Sequence, residues 1–228
     1  MGMTNPGRVH GEKMMQAHKI GYFLVVFWLA FLAGQPGAAV AGVEKQSPEE
    51  TVKTVTTEML TALRSQKEAY KNDPRQLVSL IERIIAPHFD IRVMAREALG
   101  LNWRRATPEQ QKRFMAAFRK LLVNDYAEEF RNYSNQAVEF QPEHAGSGKD
   151  YALVITHVTS PGEQPVRVDY RLYRVGSDWR IYDVDIDGIS LLFNYRNTFS
   201  EELQHETLDA LIARMEHKND SFHFSAGK

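Results

Sequence analysis

Asp183, Asp185 and Asp187 alternate along one apolar segment, so on a strand all three carboxylates project from the same sheet face. Clustered carboxylates can divide acid and base work when one is buried and its pKa is raised. A simpler reading puts them on the wet face, with Tyr182, Val184 and Ile186 turned inward and Asp187-Gly188 forming a turn. Arg96, Arg104 and Arg105 gather between two helical segments, where they could meet a phosphate or an acidic partner surface. A solvated basic corner is an equal reading. The eight histidines are dispersed, and none forms a pair with metal-ligand spacing on one strand or helix. His205 stands beside Glu206 on a charged helix face. No G-x-S-x-G, H-E-x-x-H, P-loop or G-x-G-x-x-G occurs. Cysteine is absent, which removes thiol nucleophiles, Cys-ligated zinc, disulfides and a lipidated cysteine. The sequence therefore predicts no catalytic set, no metal and no cofactor.

With 228 residues, 43% hydrophobic and 25% charged, the composition is that of a globular protein. The net charge of −1 argues against a nucleic-acid partner, which would select a basic surplus. Arg8, Lys13, His18 and Lys19 precede Ile20–Ala33, a 14-residue run without charge, and Ala39-Val40-Ala41 follows. A spanning helix needs about 20 apolar residues, so this pattern predicts a cleavable signal peptide over 1–41 and an exported, periplasmic product of net charge −3. A single domain is expected over 42–217, with a loose tail over 218–228.

Ser47-Pro48-Glu49-Glu50 is a capping box opening an amphipathic helix to about Tyr70, with Val52, Val55, Met59, Leu60 and Leu63 on one face. Leu77, Leu80, Ile81, Ile84 and Ile85 mark a second helix, and Asp90 caps a third that Gly100 ends. Thr107-Pro108-Glu109-Gln110 opens the longest, over about 108–133. Beyond Asn135 the period falls to two. Ala137–Gln141, Tyr151–Thr159, Val166–Val175 and Trp179–Asp187 read as four strands of a meander. Val166, Val168, Tyr170 and Leu172 supply an apolar face against Arg167, Asp169, Arg171 and Tyr173. An apolar segment over Ile189–Phe199 and an amphipathic helix over Leu203–Met215 complete the chain. The fold class is α+β, with helices covering an antiparallel sheet of four to five strands.

Two ordered blocks, HFDIRVMAREALGLNWRRATPEQQKRFMAAFRKLLVNDYAEEF at 88–130 and VDYRLYRVGSDWRIYDVDIDGISLLFNYRNTF at 168–199, resemble the MlaC, or toluene-tolerance, family of periplasmic proteins. The resemblance implies a curved antiparallel sheet beneath helices, similar to nuclear-transport-factor-2-like folds, that encloses an apolar pocket. It also implies a non-enzymatic carrier that buries the acyl chains of a glycerophospholipid and leaves the head group outside. The implied partners are an inner-membrane ABC transporter complex with an MCE-domain subunit and an outer-membrane lipoprotein–porin complex. The implied outcome is outer-membrane lipid asymmetry, and a monomer is the simplest shuttle. Strand parity and helix face nominate Trp103, Phe118, Leu121, Leu122, Val168, Tyr170, Leu172, Val184, Ile189, Leu192 and Tyr195 as pocket lining. Two other classes remain open at this level: an adaptor whose apolar groove receives a protein segment, and a cavity enzyme using Asp183, Asp185 and Asp187.

Overall fold

The computed structural model describes residues 46–131, 136–141, 150–160 and 162–222. The expected signal peptide lies outside them, as do the last residues of the expected tail. The first described residues build the capping box read from the sequence. Glu50 N donates to Ser47 Oγ at 3.0 Å and Ser47 N donates to Glu50 Oε2 at 2.7 Å. Helix α1 (Pro48–Ser65) follows, and Gln66 leaves helical geometry, so the single helix expected to Tyr70 becomes α1 and a short α2 (Lys67–Asn72). Helix α3 (Arg75–Ile84) and a 3-10 turn (Ala86–His88) lead to α4 (Ile91–Leu99). Asp90 caps α4, its Oδ1 accepting from Arg92 N and Val93 N at 3.0 Å each.

Gly100 ends α4 at φ +55°, a conformation that costs L side chains strain. A five-residue helix that periodicity could not show, α5 (Leu101–Arg105), turns the chain into α6 (Pro108–Arg131). The second capping box opens α6: Gln110 N donates to Thr107 Oγ1 at 3.2 Å and Thr107 N to Gln110 Oε1 at 2.9 Å. The sheet is a five-stranded antiparallel meander in chain order. Its strands are β1 (Ala137–Phe140), β2 (Tyr151–Thr159), β3 (Val166–Val175), β4 (Asp178–Ile186) and β5 (Ile189–Ser190). Helices α7 (Leu191–Glu202) and α8 (Leu208–Asp220) follow. The boundary expected at 217 thus falls inside α8, where Asn219 is buried.

Register explains which strand residues turn inward. Ala152 faces Leu172, Val154 faces Tyr170, and Tyr170 faces Val184 across the ladders, so these side chains share one face. The alternation in β4 is interrupted. Arg171 pairs with Asp183 but Leu172 pairs with Ile181, leaving Tyr182 as an extra, bulged residue. Trp179 and Ile181 before the bulge are buried with Val184 after it. Tyr182, expected inward with Val184, instead packs at the helical end, where its ring meets Tyr173 edge-on at 6.0 Å. The exposed edge of β4 that short β5 leaves uncovered is closed by Phe89, which bridges to Ile181, and by Asp90 N donating to Ile181 O at 2.9 Å.

The interior divides into two apolar bodies. One lies between the sheet face and α1, α3 and the C-terminal half of α6, through Val123, Ala127 and Phe130. The other is helical, formed by α4, α5, the N-terminal half of α6, α7 and α8. Helix α6 is the spine that both share, and Tyr126 and Phe89 touch both.

Candidate functional site

The residues nominated as one pocket fall into these two bodies. Val168, Tyr170, Leu172 and Val184 lie on the sheet face opposite Val52, Met59, Leu60 and Leu63 of α1 and Leu77, Leu80 and Ile81 of α3. Its polar interruptions are small. Thr156, fully buried, donates from Oγ1 to Val168 O at 3.2 Å, and burial pushes the Tyr170 hydroxyl up to about 12, so it stays neutral. Burial likewise raises Tyr126 at the junction of the two bodies. This face is continuous, uncharged and covered by side chains that are almost all aliphatic.

Trp103, Phe118, Leu121, Leu122 and Leu192 belong to the helical body, with Tyr195 packed against it. Phe118 sits at its centre, 5.6 Å from the Phe114 ring, 5.0 Å from Tyr195 and 5.8 Å from Phe199. Edge-to-face and stacked rings at these distances form a dense knot that fixes α6 against α7. Tyr195 also donates to Asp125 Oδ2 at 3.3 Å. Ile189 joins neither body; it is 54% exposed on the β5 edge. Sequence parity could identify inward residues but not which of two interiors they entered. The apolar faces of α1 and α3 were visible in the sequence, yet nothing in their spacing said that the sheet face would lie beneath them.

The three aspartates separate into different roles. Asp183 is 5% exposed, not on the wet face as expected, because the bulge at Tyr182 carries it beneath the start of α7. Its Oδ1 accepts from Val184 N at 2.9 Å and Leu192 N at 3.1 Å, and its Oδ2 from Arg171 Nη1 and Ser190 Oγ, each at 2.7 Å. Four donors occupy the carboxylate, one of them an amide in the first turn of α7, where the helix dipole also favours negative charge. Asp183 is thereby a brace between β4 and α7. Asp185 lies 3.6 Å from Arg171 and Asp187 accepts from Arg167 N at 3.1 Å, beside an Arg167–Asp169 pair at 2.7 Å. Asp187 (φ +50°) and Gly188 (φ +83°) form the turn the sequence indicated. Such a lattice of alternating charges describes a solvated sheet face.

Arg96, Arg104 and Arg105 come together, joined by Arg196 of α7, around a cleft of about 600 Å³ between α4, α5 and α7. Sequence spacing could not bring Arg196 there, because α7 reaches the cleft only through tertiary packing. Among the described residues no group of three or more His, Asp or Glu side chains is placed to hold a metal. No described helix is long and apolar enough to cross a membrane.

The fold is thus of the α+β class, a five-stranded antiparallel meander whose apolar face lies beneath helices. The family model described as "MlaC protein" matches residues 53–217. The chain belongs to the MlaC family. It is similar to toluene tolerance protein ttg2D of Pseudomonas putida, with 32% identity over 77% of this chain and 80% of that protein. It is also similar to the intermembrane phospholipid transport system binding protein MlaC of Haemophilus influenzae, with 21% identity over 76% of this chain and 83% of that one. Among solved structures, a phospholipid-binding protein from Ralstonia solanacearum in complex with a phospholipid superposes with a TM-score of 0.69. It is 28% identical, and the match covers 76% of this chain and 97% of that one.

Proposed function

We propose that this protein is a periplasmic phospholipid carrier, and that the acyl chains enter between the apolar sheet face and the α1–α3 layer. The observation that carries this reading is the kinship with a protein solved with phospholipid bound, joined to an uncharged sheet face of matching topology in this chain. The physical demand is large. A diacyl lipid carries about 30 methylenes, each worth roughly 0.8 kcal/mol when exposed to water, so an unaided crossing is opposed by more than about 20 kcal/mol. A carrier must replace that water with its own apolar surface. Apolar contacts among the side chains of this body, Met59, Leu60, Leu80, Val168 and Leu172 among them, are non-directional, so a methylene chain can substitute for them without stranding a hydrogen bond. The helical body, locked by its rings, is the rigid frame against which that layer opens. Trp103, Phe118, Leu121, Leu122, Leu192 and Tyr195 then support the pocket, while Val168, Tyr170, Leu172 and Val184 touch the tails.

On this reading the leader at 1–41 exports the chain, and the body works between an outer-membrane lipoprotein–porin complex and an inner-membrane ABC transporter with an MCE-domain subunit. It passes glycerophospholipid and so maintains outer-membrane asymmetry. No catalytic step is needed. The test is solvent extraction of the purified protein followed by mass spectrometry, with Val154→Trp and Val168→Glu as variants and circular dichroism as the fold control. Wild type is expected to hold glycerophospholipid at near one per chain, and folded variants to lose most of it. Wild type that carries none and takes none up from phospholipid vesicles overturns the proposal.

A further inference from the structure

We infer that the arginine cleft between α4, α5 and α7 is a docking site for an acidic protein segment, separate from the lipid pocket. Its floor is apolar and fixed: Leu99 is buried, Trp103 is buried, and Trp103 O accepts from Gln111 Nε2 at 2.9 Å. Its rim is cationic. Arg196 is held in place by two bonds to Glu97, Nε to the carbonyl oxygen at 2.7 Å and Nη2 to Oε2 at 2.9 Å, and Arg96 shares the same carboxylate at 3.2 Å. One carboxylate thus serves two guanidinium groups. Among the described residues no carboxylate pairs with Arg104 or Arg105, so the cleft carries a surplus of three positive charges in a chain whose net charge is −1. Leu101 stands at the mouth with 72% of its surface exposed.

The geometry selects the class of occupant. Guanidinium forks recognise carboxylates in pairs, and a large exposed leucine beside them supplies the apolar contact that protein interfaces centre on. A bilayer is flat and would meet the arginine rim without reaching Leu99 and Trp103 inside the cleft. The cleft is also built on the helical body, whereas the proposed tail pocket belongs to the sheet body. The occupant is therefore a protruding segment rich in Asp and Glu with an apolar residue among them.

The test uses the full chain and a fluorescein-labelled peptide of repeated Glu-Glu-Leu units, followed by anisotropy at low and at physiological salt. Wild type is expected to bind in a salt-sensitive manner. Arg104→Glu combined with Arg105→Glu is expected to weaken binding roughly tenfold or more, and Leu101→Ala several-fold. These side chains lie at the surface, so melting temperature and phospholipid content should stay at wild-type values. Four results would overturn the inference: no peptide binding, equal binding by the double variant, equal binding of a Gln-Gln-Leu control, or charge-dependent sedimentation with phosphatidylglycerol vesicles in place of peptide binding. Loss of bound phospholipid in the double variant would overturn it too, by merging the cleft with the lipid site. Phospholipid content read on wild type alone tests the carrier reading separately.

Discussion

Replacing Asp183 with alanine removes the acceptor for four donors at once, and the structure sets the size of the effect. Val184 N and Leu192 N are buried amides that both donate to Asp183, while Arg171 keeps access to water and to Asp185. Ser190 Oγ also loses its acceptor but still receives Phe193 N at 3.1 Å. A buried donor left unsatisfied costs about 1–3 kcal/mol, so the two amides alone amount to about 2–6 kcal/mol. Partial entry of water points to about 3 kcal/mol. Asn at the same position keeps an oxygen for both amides but sets its NH2 against Arg171 and Ser190 Oγ, and should cost about 1–2 kcal/mol. Urea unfolding followed by fluorescence reads both. With an m-value of about 1–3 kcal/mol per molar, Asp183→Ala should lower the midpoint by about 1 M or more at unchanged slope. The folded fraction of Asp183→Asn should carry phospholipid as wild type does. A midpoint for Asp183→Ala indistinguishable from wild type would refute the brace. So would normal stability of Asp183→Asn with loss of function, which would return the carboxylate to a chemical role.

Asn219 donates to Ala117 O at 2.8 Å and accepts from Asn124 Nδ2 at 3.3 Å inside the α6–α8 contact. Asn219→Ala should cost about 1–3 kcal/mol in urea titration, since Asn124 is left buried without its acceptor. Asp125 is pushed above the usual carboxylate range chiefly by desolvation, against the attraction of Lys218. The folded state then binds its proton more tightly than the unfolded one, so the penalty is absent in acid and grows as pH rises through the carboxylate range. Asp125→Asn should therefore raise Tm relative to wild type at pH 7, with the difference shrinking toward pH 3; a constant difference would contradict the assignment. Gly100→Ala has room for its methyl group, the nearest atom being Arg196 Nε at 3.5 Å, so its cost is the backbone strain of φ +55°, ψ −123°, a pair that side chains rarely adopt. About 1–2 kcal/mol should appear as a Tm lowered by roughly 2–8 °C in calorimetry.

Local signals in the sequence carried far. Both capping boxes, the Asp90 cap, the Gly100 stop and the β2–β3 alternation are one-turn or two-residue patterns whose physics is complete within a few residues, and the structure repeats them. What escaped was long-range. The bulge at Tyr182 depends on how β4 meets Arg171 and Leu172, so a strict period of two placed Tyr182 inward and Asp183 outward. Helix α5 is too short to show a period at all. The nominated pocket residues were all read as inward or apolar, but a helix as long as α6 crosses both interiors, and its 3.6-residue stripe looks the same over Phe118 as over Ala127. Only the topology that lays α1 and α3 on the sheet distinguishes the two. Ile189 stands outside both bodies for a related reason: parity continued through the Asp187-Gly188 turn would bury it, and the reversal of direction there leaves it on an open edge.

On the carrier reading, the division into two interiors answers a conflict that one core would face. A site that releases its cargo must give up apolar contact with each cycle, whereas the fold must keep enough to stay within its stability margin of about 5–15 kcal/mol. The chain places its interlocked rings and its buried Asn124–Asn219 pair in the helical body, where directional contacts resist exchange. It leaves aliphatic contacts under α1 and α3, where a methylene chain can stand in for a leucine. The Gln66 break after α1 and the Asp183 brace under α7 lie on opposite sides of this division. Among the described residues α6 is the one helix with residues in both bodies, so docking at the arginine cleft would reach the lipid layer through α6.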